Sequence, residues 1–136
     1  MKYNLFIGRF QSPHKGHMFI FDRYIKNNLP VLIAIRDVET DAANPLSANI
    51  IMSLWETIYR DNPLVKVIVI PDIESVNYGR SVGYDVNEIL ADENIMNISA
   101  SEIRRQILND EQEWMSFVDP IIHTMLKKVL KTQNEH

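Results

Sequence analysis

The chain opens on a short apolar run, Tyr3 to Ile7, closed by Gly8, which predicts a first strand. Arg9 to Lys15 is turn-like, and Pro13 excludes a regular strand or helix interior there. From His17 to Asn28 the apolar Met18, Phe21, Tyr24 and Ile25 recur at helical spacing, and Asn27-Asn28 stops the pattern. Pro30 leads into Val31 to Ile35, a continuous run of the kind buried on both faces of a parallel sheet. After a polar stretch, Asp37 to Pro45, Ser47 is a suitable N-cap for a helix striped by Ile51, Leu54, Trp55, Ile58 and Tyr59. Asn62-Pro63 ends that helix, and Val65 to Pro71 reads as a third strand. Gly79 and Gly83 interrupt the span Asp72 to Asp92, while Glu93 to Ile98 reads as a short last strand. A helix begins at Ser99. Asp119-Pro120 pairs a cap with a proline at the first helical position, starting a helix whose apolar face runs from Ile121 to Leu130. Gln133 to His136 are expected to fray.

Strand, helix, strand, helix, strand, with connections long enough for right-handed crossovers, predicts an α/β fold with a doubly wound parallel sheet and C-terminal helices. The 136 residues fit one domain, 1–136, with no repeat, linker or low-complexity segment. Ligands on such sheets bind beyond the carboxyl ends of the strands, so chemistry is expected in the loops after Ile7, Ile35 and Ile70.

Composition narrows the function classes. With 46% hydrophobic and 24% charged residues, the balance is that of an ordinary globular domain. The net charge of −4, with no basic tail or stripe, argues against nucleic acid or an anionic membrane as partner. The absence of cysteine removes disulfides, thiol nucleophiles and thiolate metal sites. No apolar run approaches bilayer length, and MKYNLFIGRF lacks the features of a signal peptide, so a cytoplasmic chain is expected.

The loop after the first strand reads Gly8-Arg9-Phe10-Gln11-Ser12-Pro13-His14-Lys15-Gly16-His17. Two histidines three apart flank a lysine and a glycine where the chain enters a helix, a pattern suited to an anion. Gly16 permits close backbone approach, the helix N-terminus offers N–H groups, and imidazoles can donate to phosphate oxygens. Arg9 and Lys15 add positive charge. A metal site at His14 and His17 is disfavoured, because no third ligand of suitable spacing accompanies them. The bland alternative is a capping or surface histidine, but the paired register after a first strand favours function.

GRFQSPHKGH resembles the HxGH signature of the nucleotidyltransferase superfamily, whose members include nicotinamide-mononucleotide, pantetheine-phosphate and glycerol-phosphate enzymes. The lead-in GRFQ is most similar to the nicotinamide-mononucleotide adenylyltransferase branch, where proline directly follows the glutamine; here Ser12 intervenes before Pro13. The superfamily's second signature, ISxTxIR, is matched by Ile98-Ser99-Ala100-Ser101-Glu102-Ile103-Arg104, with Ser101 in place of threonine. Ser99 and Glu102 also have the spacing of a capping box, which places the N-cap at Ser99. The resemblance runs from Tyr3 to Ile107 and implies a Rossmann-like fold.

It also implies transfer of a nucleoside monophosphate, AMP rather than CMP, from a nucleoside triphosphate to a phosphate-bearing small molecule such as nicotinamide mononucleotide, with release of pyrophosphate. His14 and His17 would then meet the phosphates in the transition state, Lys15 would neutralise charge, and Arg104 with Ser99 and Ser101 would hold the β- and γ-phosphates. Gly8, Arg9, Phe10 and Gly16 would shape the nucleotide floor, and Mg2+ would arrive with the triphosphate. Arg36 and Arg80 are candidates for the acceptor phosphate. Trp55 is a candidate to stack on an acceptor ring, although its helical stripe also suits the core. His123, beside an apolar face, reads as structural, and Trp114, Asp37 and Asp72 are unassigned. Relatives suggest a homo-oligomer. The alternatives are a nucleotide-binding or sensor module without turnover and a cytidylyltransferase acting on a polyol or alcohol phosphate. A flavodoxin-like carrier would want a Ser/Thr/Gly phosphate loop here, and an aminoacyl-tRNA synthetase would need further domains. Arg9, Lys15, Arg36, Arg80, Arg104 and Arg105 are all expected in or beside loops at one sheet edge, despite the acidic total.

Overall fold

The computed structural model of the chain describes residues 1–79, 83–87 and 99–134. Strands β1 (Asn4–Gly8), β2 (Val31–Asp37) and β3 (Val65–Pro71) form a parallel sheet in the order β1-β2-β3. Asn4 pairs with Val31 and Gly8 with Ile35, while Val31 pairs with Val65 and Asp37 with Pro71. The central strand is the most apolar: Val31, Ile33, Ala34 and Ile35 are all at most 1% exposed, as a strand paired on both edges and covered by helices requires. Helices α1 (Lys15–Ile25) and α2 (Ala48–Ile58) occupy the crossovers. Beyond the sheet come α3 (Ala100–Leu108), 3-10 turns at Glu113–Phe117 and Pro120–Ile122, and α4 (His123–Asn134). The fold is α/β with a three-stranded parallel sheet and helices, consistent with a Rossmann-like architecture. Among the described residues, no helix is long and apolar enough to cross a membrane.

Several boundaries differ from the hydrophobic pattern, each for a local reason. Helix α1 starts two residues before His17, because His14 caps it. Strand β2 runs past its apolar stretch to Asp37, since Arg36 and Asp37 stay in register with Ile70 and Pro71. Pro120 opens a 3-10 turn rather than the α-helix itself; the Asp119 carboxylate accepts from Ile121 N at 3.0 Å, and α4 follows from His123. That helix continues through Asn134, so fraying does not begin at Gln133. The expected strand Glu93 to Ile98 lies outside the described residues, as do Arg80 and His136.

One core joins the sheet to the C-terminal helices. Phe21, Ile33, Ile35, Ile51, Leu54 and Trp55 pack with Ile103, Ile107, Trp114, Ile122 and Leu126. Trp114, unassigned from sequence, is 2% exposed; its Nε1 donates to Glu111 O at 3.0 Å and its ring meets His123 edge-on. His123 closes the same corner through a 2.8 Å bond between Nε2 and Val118 O. Both residues are therefore structural.

Candidate functional site

At the carboxyl end of β1, the chain turns over its own glycine. A Cβ on Gly8 would stand 3.0 Å from Phe10 Cζ, so only glycine leaves room for the ring that follows it. Phe10 takes a positive φ of 51°, a region that a bulky residue adopts only when surrounding contacts hold it. Those contacts are aromatic: its ring meets His17, Phe21 and Trp55 edge-to-face at 5.0–6.1 Å. Phe10 thus anchors the loop to the core.

The two histidines cap α1 reciprocally. His14 Nδ1 accepts from Gly16 N at 3.0 Å, and His17 Nδ1 accepts from His14 N at 3.1 Å. Their rings stack 3.7 Å apart, 18° from parallel. A ring that accepts at Nδ1 carries its neutral-form proton on Nε2, so each histidine keeps one N–H to donate elsewhere. Burial pushes His14 down to about 4. His17 lies well below its ordinary value, first through burial and then through the adjacent His14. Both imidazoles are consequently neutral near pH 7 rather than cations, each accepting a backbone N–H at Nδ1. Of the N–H groups at this helix start, that of Gly16 is already given to His14. Lys15 is exposed on the first turn.

The two motifs meet across 93 residues. An Arg104 N–H donates to the backbone carbonyl of Gln11, bringing the middle of α3 against the loop after β1. The Gln11 side chain makes a second closure. Its Nε2 donates to Leu46 O at 2.6 Å, and its Oε1 accepts from Leu46 N at 3.0 Å, fixing the segment before α2. Arg9 donates to Asn44 Oδ1 at 3.0 Å in that same segment. Arg104 feels burial first and then the charge of Arg9, both lowering its affinity for its proton. Among the described residues, neither Arg9 nor Arg104 has a carboxylate within ion-pair distance. Arg104 also lines a cavity of about 420 Å³ with Asp41, Pro45, Leu108 and Leu130.

Ser99 is the N-cap of α3: its Oγ accepts from Glu102 N at 3.3 Å and lies 2.9 Å from Ser101 Oγ. The capping box expected with Glu102 is only half made. The Glu102 carboxylate is bound instead by Arg105 at 2.6 and 3.0 Å and by Gln106 at 3.2 Å. Arg105 also holds Glu111, so it is a surface ion-pair hub rather than part of the basic edge. Arg36, at the end of β2, bonds Asp72 at 2.8 and 2.9 Å and is already engaged. Trp55 corrects the stacking expectation. It is wholly buried, with Phe10, His17, Phe21 and Tyr59 around it, and has no face for an acceptor ring. Arg80 lies outside the described residues.

Sequence reading missed Gln11, Asp41 and Asn44. Asn44-Pro45 marks a loop, and Asp41 three residues before Asn44 has the spacing of a local side-chain turn. Neither signal links the segment to Arg9. The chain matches no protein-family model and no curated protein.

Proposed function

We propose that the chain is a nucleotidyltransferase. It transfers a nucleoside monophosphate, AMP in preference to CMP, from a nucleoside triphosphate to a phosphate-bearing small molecule, nicotinamide mononucleotide being the first candidate. The observation that carries this reading is the contact of Arg104 with the Gln11 carbonyl. It brings the cation of the second motif to the loop of the first, within electrostatic reach of Arg9, which supports a clamp on one polyphosphate. Arg104, whose charge is disfavoured first by burial and then by the nearby Arg9, gains when an anion lies between the two guanidiniums. A doubly wound nucleotidyltransferase sheet, a cytoplasmic location and a homo-oligomeric state belong to the same proposal.

In this mechanism an acceptor phosphate oxygen attacks the α-phosphorus in line. A new O–P bond forms, the bond from the α-phosphorus to the bridging oxygen breaks, and pyrophosphate leaves with that electron pair. The acceptor is already anionic, so no general base is needed. The Nε2–H groups of His14 and His17 donate to the charge that builds on the α-phosphate oxygens, and Arg104, Ser99 and Ser101 hold the departing phosphates. Lys15 adds positive charge at the mouth of the site. In this proposal Mg2+ arrives with the triphosphate, held largely by the nucleotide and water. When bound, it neutralises phosphate charge.

One observation favours a second reading, a nucleotide-binding module without turnover: the histidines have a structural task as reciprocal caps, so their presence alone does not demand catalysis. Pyrophosphate release from ATP and CTP against a panel of phosphorylated acceptors separates the two. Turnover with one pair is expected, and His17→Ala should lower it about a hundredfold, as loss of a charge-stabilising donor does. Silence across the panel would select the binding module, and full turnover by His17→Ala would overturn the mechanism.

A further inference from the structure

Arg9 is held by a neutral partner. Its side chain donates to Asn44 Oδ1, whereas Arg36 and Arg105 are bound to carboxylates. Asn44 is itself unusual in being a buried polar residue, 7% exposed, in a loop. Its orientation is set by Asp41, whose Oδ1 accepts from Asn44 N at 2.7 Å and from Asn44 Nδ2 at 3.0 Å. Asp41 N returns a 3.0 Å bond to Asn44 O. With the amide nitrogen committed to Asp41, the amide oxygen is the end that faces Arg9. A carboxylate at this place would fix the guanidinium equally well but cancel its charge. An amide fixes it without a direct ion pair, the Asp41 and Asp72 carboxylates reaching Arg9 only at longer range.

We propose that Asn44 is a positioning residue for the anion site: oriented by Asp41, it holds Arg9 beside Arg104 so that both guanidiniums receive one polyphosphate. This rests on the phosphate-binding part of the reading above and not on turnover.

The test is calorimetric binding of inorganic tripolyphosphate to the full chain at low salt, using the native protein, Asn44→Ala, Arg9→Ala and the double variant. Asn44→Ala should weaken binding about tenfold, the scale of one charge-assisted hydrogen bond. Arg9→Ala should weaken it at least as much, and adding Asn44→Ala to Arg9→Ala should change nothing more. Asp41 is exposed, so Asp41→Ala reaches the same relay without opening a buried site. It should show a smaller loss that also vanishes in the Arg9→Ala background. Native-like binding by Asn44→Ala overturns the proposal. So does a tenfold loss that persists without Arg9, which would mark Asn44 as a support of the loop alone, and so does a native protein that does not bind tripolyphosphate. Pyrophosphate release in the same samples keeps the two ideas apart. Coupled binding without turnover would sink the nucleotidyltransferase reading and support this one, while turnover with uncoupled Arg9 and Asn44 would do the reverse.

Discussion

Replacing His14 by asparagine tests the state of the paired histidines directly. Asparagine is a good N-cap and keeps an oxygen for the Gly16 amide, but it does not titrate. In the native protein His14 is 8% exposed and takes up its proton only near pH 4. In the unfolded chain it does so near pH 6.5. Between those values the unfolded state binds more protons, so stability is complete above about pH 6.5 and falls as the pH drops towards 4. At 1.36 kcal/mol per pH unit the whole gap is about 3 kcal/mol, of which about 2.5 kcal/mol is lost by pH 4.5. The carboxylates are present in both proteins, whereas His17 shifts in the same direction, first through burial and then through His14, so His14→Asn also removes the part of the His17 shift that His14 causes. Urea unfolding followed by the fluorescence of buried Trp55 and Trp114 at about pH 7 and about pH 4.5 supplies the four free energies. The native protein should lose about 2.5 kcal/mol more than His14→Asn across that interval. Equal losses would mean that the folded protein does not keep His14 neutral, and the donor role assigned to its Nε2–H would go with it.

Gly8→Ala forces a methyl to within 3.0 Å of the Phe10 ring, which is pinned by three other rings; thermal unfolding should show a loss of about 1–3 kcal/mol. A native-like midpoint would mean that the loop yields easily. Ser12, the residue that separates Gln11 from Pro13, is fully buried, and its hydroxyl has no hydrogen-bond partner among the described residues. Ser12→Ala should therefore be neutral or stabilising by up to about 1 kcal/mol in urea unfolding, and a clear loss would reveal a hydrogen bond at that oxygen. Arg36→Ala breaks an ion pair whose side chains are 31% and 51% exposed, so stability should change by less than about 1 kcal/mol. A larger loss in the same assay would contradict a solvent-screened pair.

The order of strands and helices was legible because each rests on local spacing. Val31 to Ile35 and Val65 to Pro71 announce buried strands, and the stripe from Ile51 to Tyr59 announces a helix with one inward face. The positions of His14, His17 and Ser99 at helix starts, and of Arg104 within the helix that Ser99 caps, were readable for the same reason, since caps and turns are properties of a few neighbouring residues. What each side chain would do there was less legible. Ser99 and Glu102 have capping-box spacing, yet Glu102 is drawn to Arg105 one turn on, and the reciprocal cap forms between two histidines instead. A stripe says that Trp55 faces inward. It does not say that Phe10 and Phe21 arrive from other elements to cover it completely.

By itself, then, the sequence determined the α/β alternation and where the anion-suited residues fall along the chain. Tertiary structure alone decided that Arg104 reaches Gln11, that Gln11 clasps Leu46, and that Asn44 aims at Arg9. The reason is physical. Periodicity and capping are settled by backbone geometry over one or two turns, so they are written in adjacent residues. Pairing between distant polar groups is settled by which donors and acceptors lose water together when the loops pack, because a buried polar atom left without a partner costs about 1–3 kcal/mol. No short window of sequence contains both ends of such a pair.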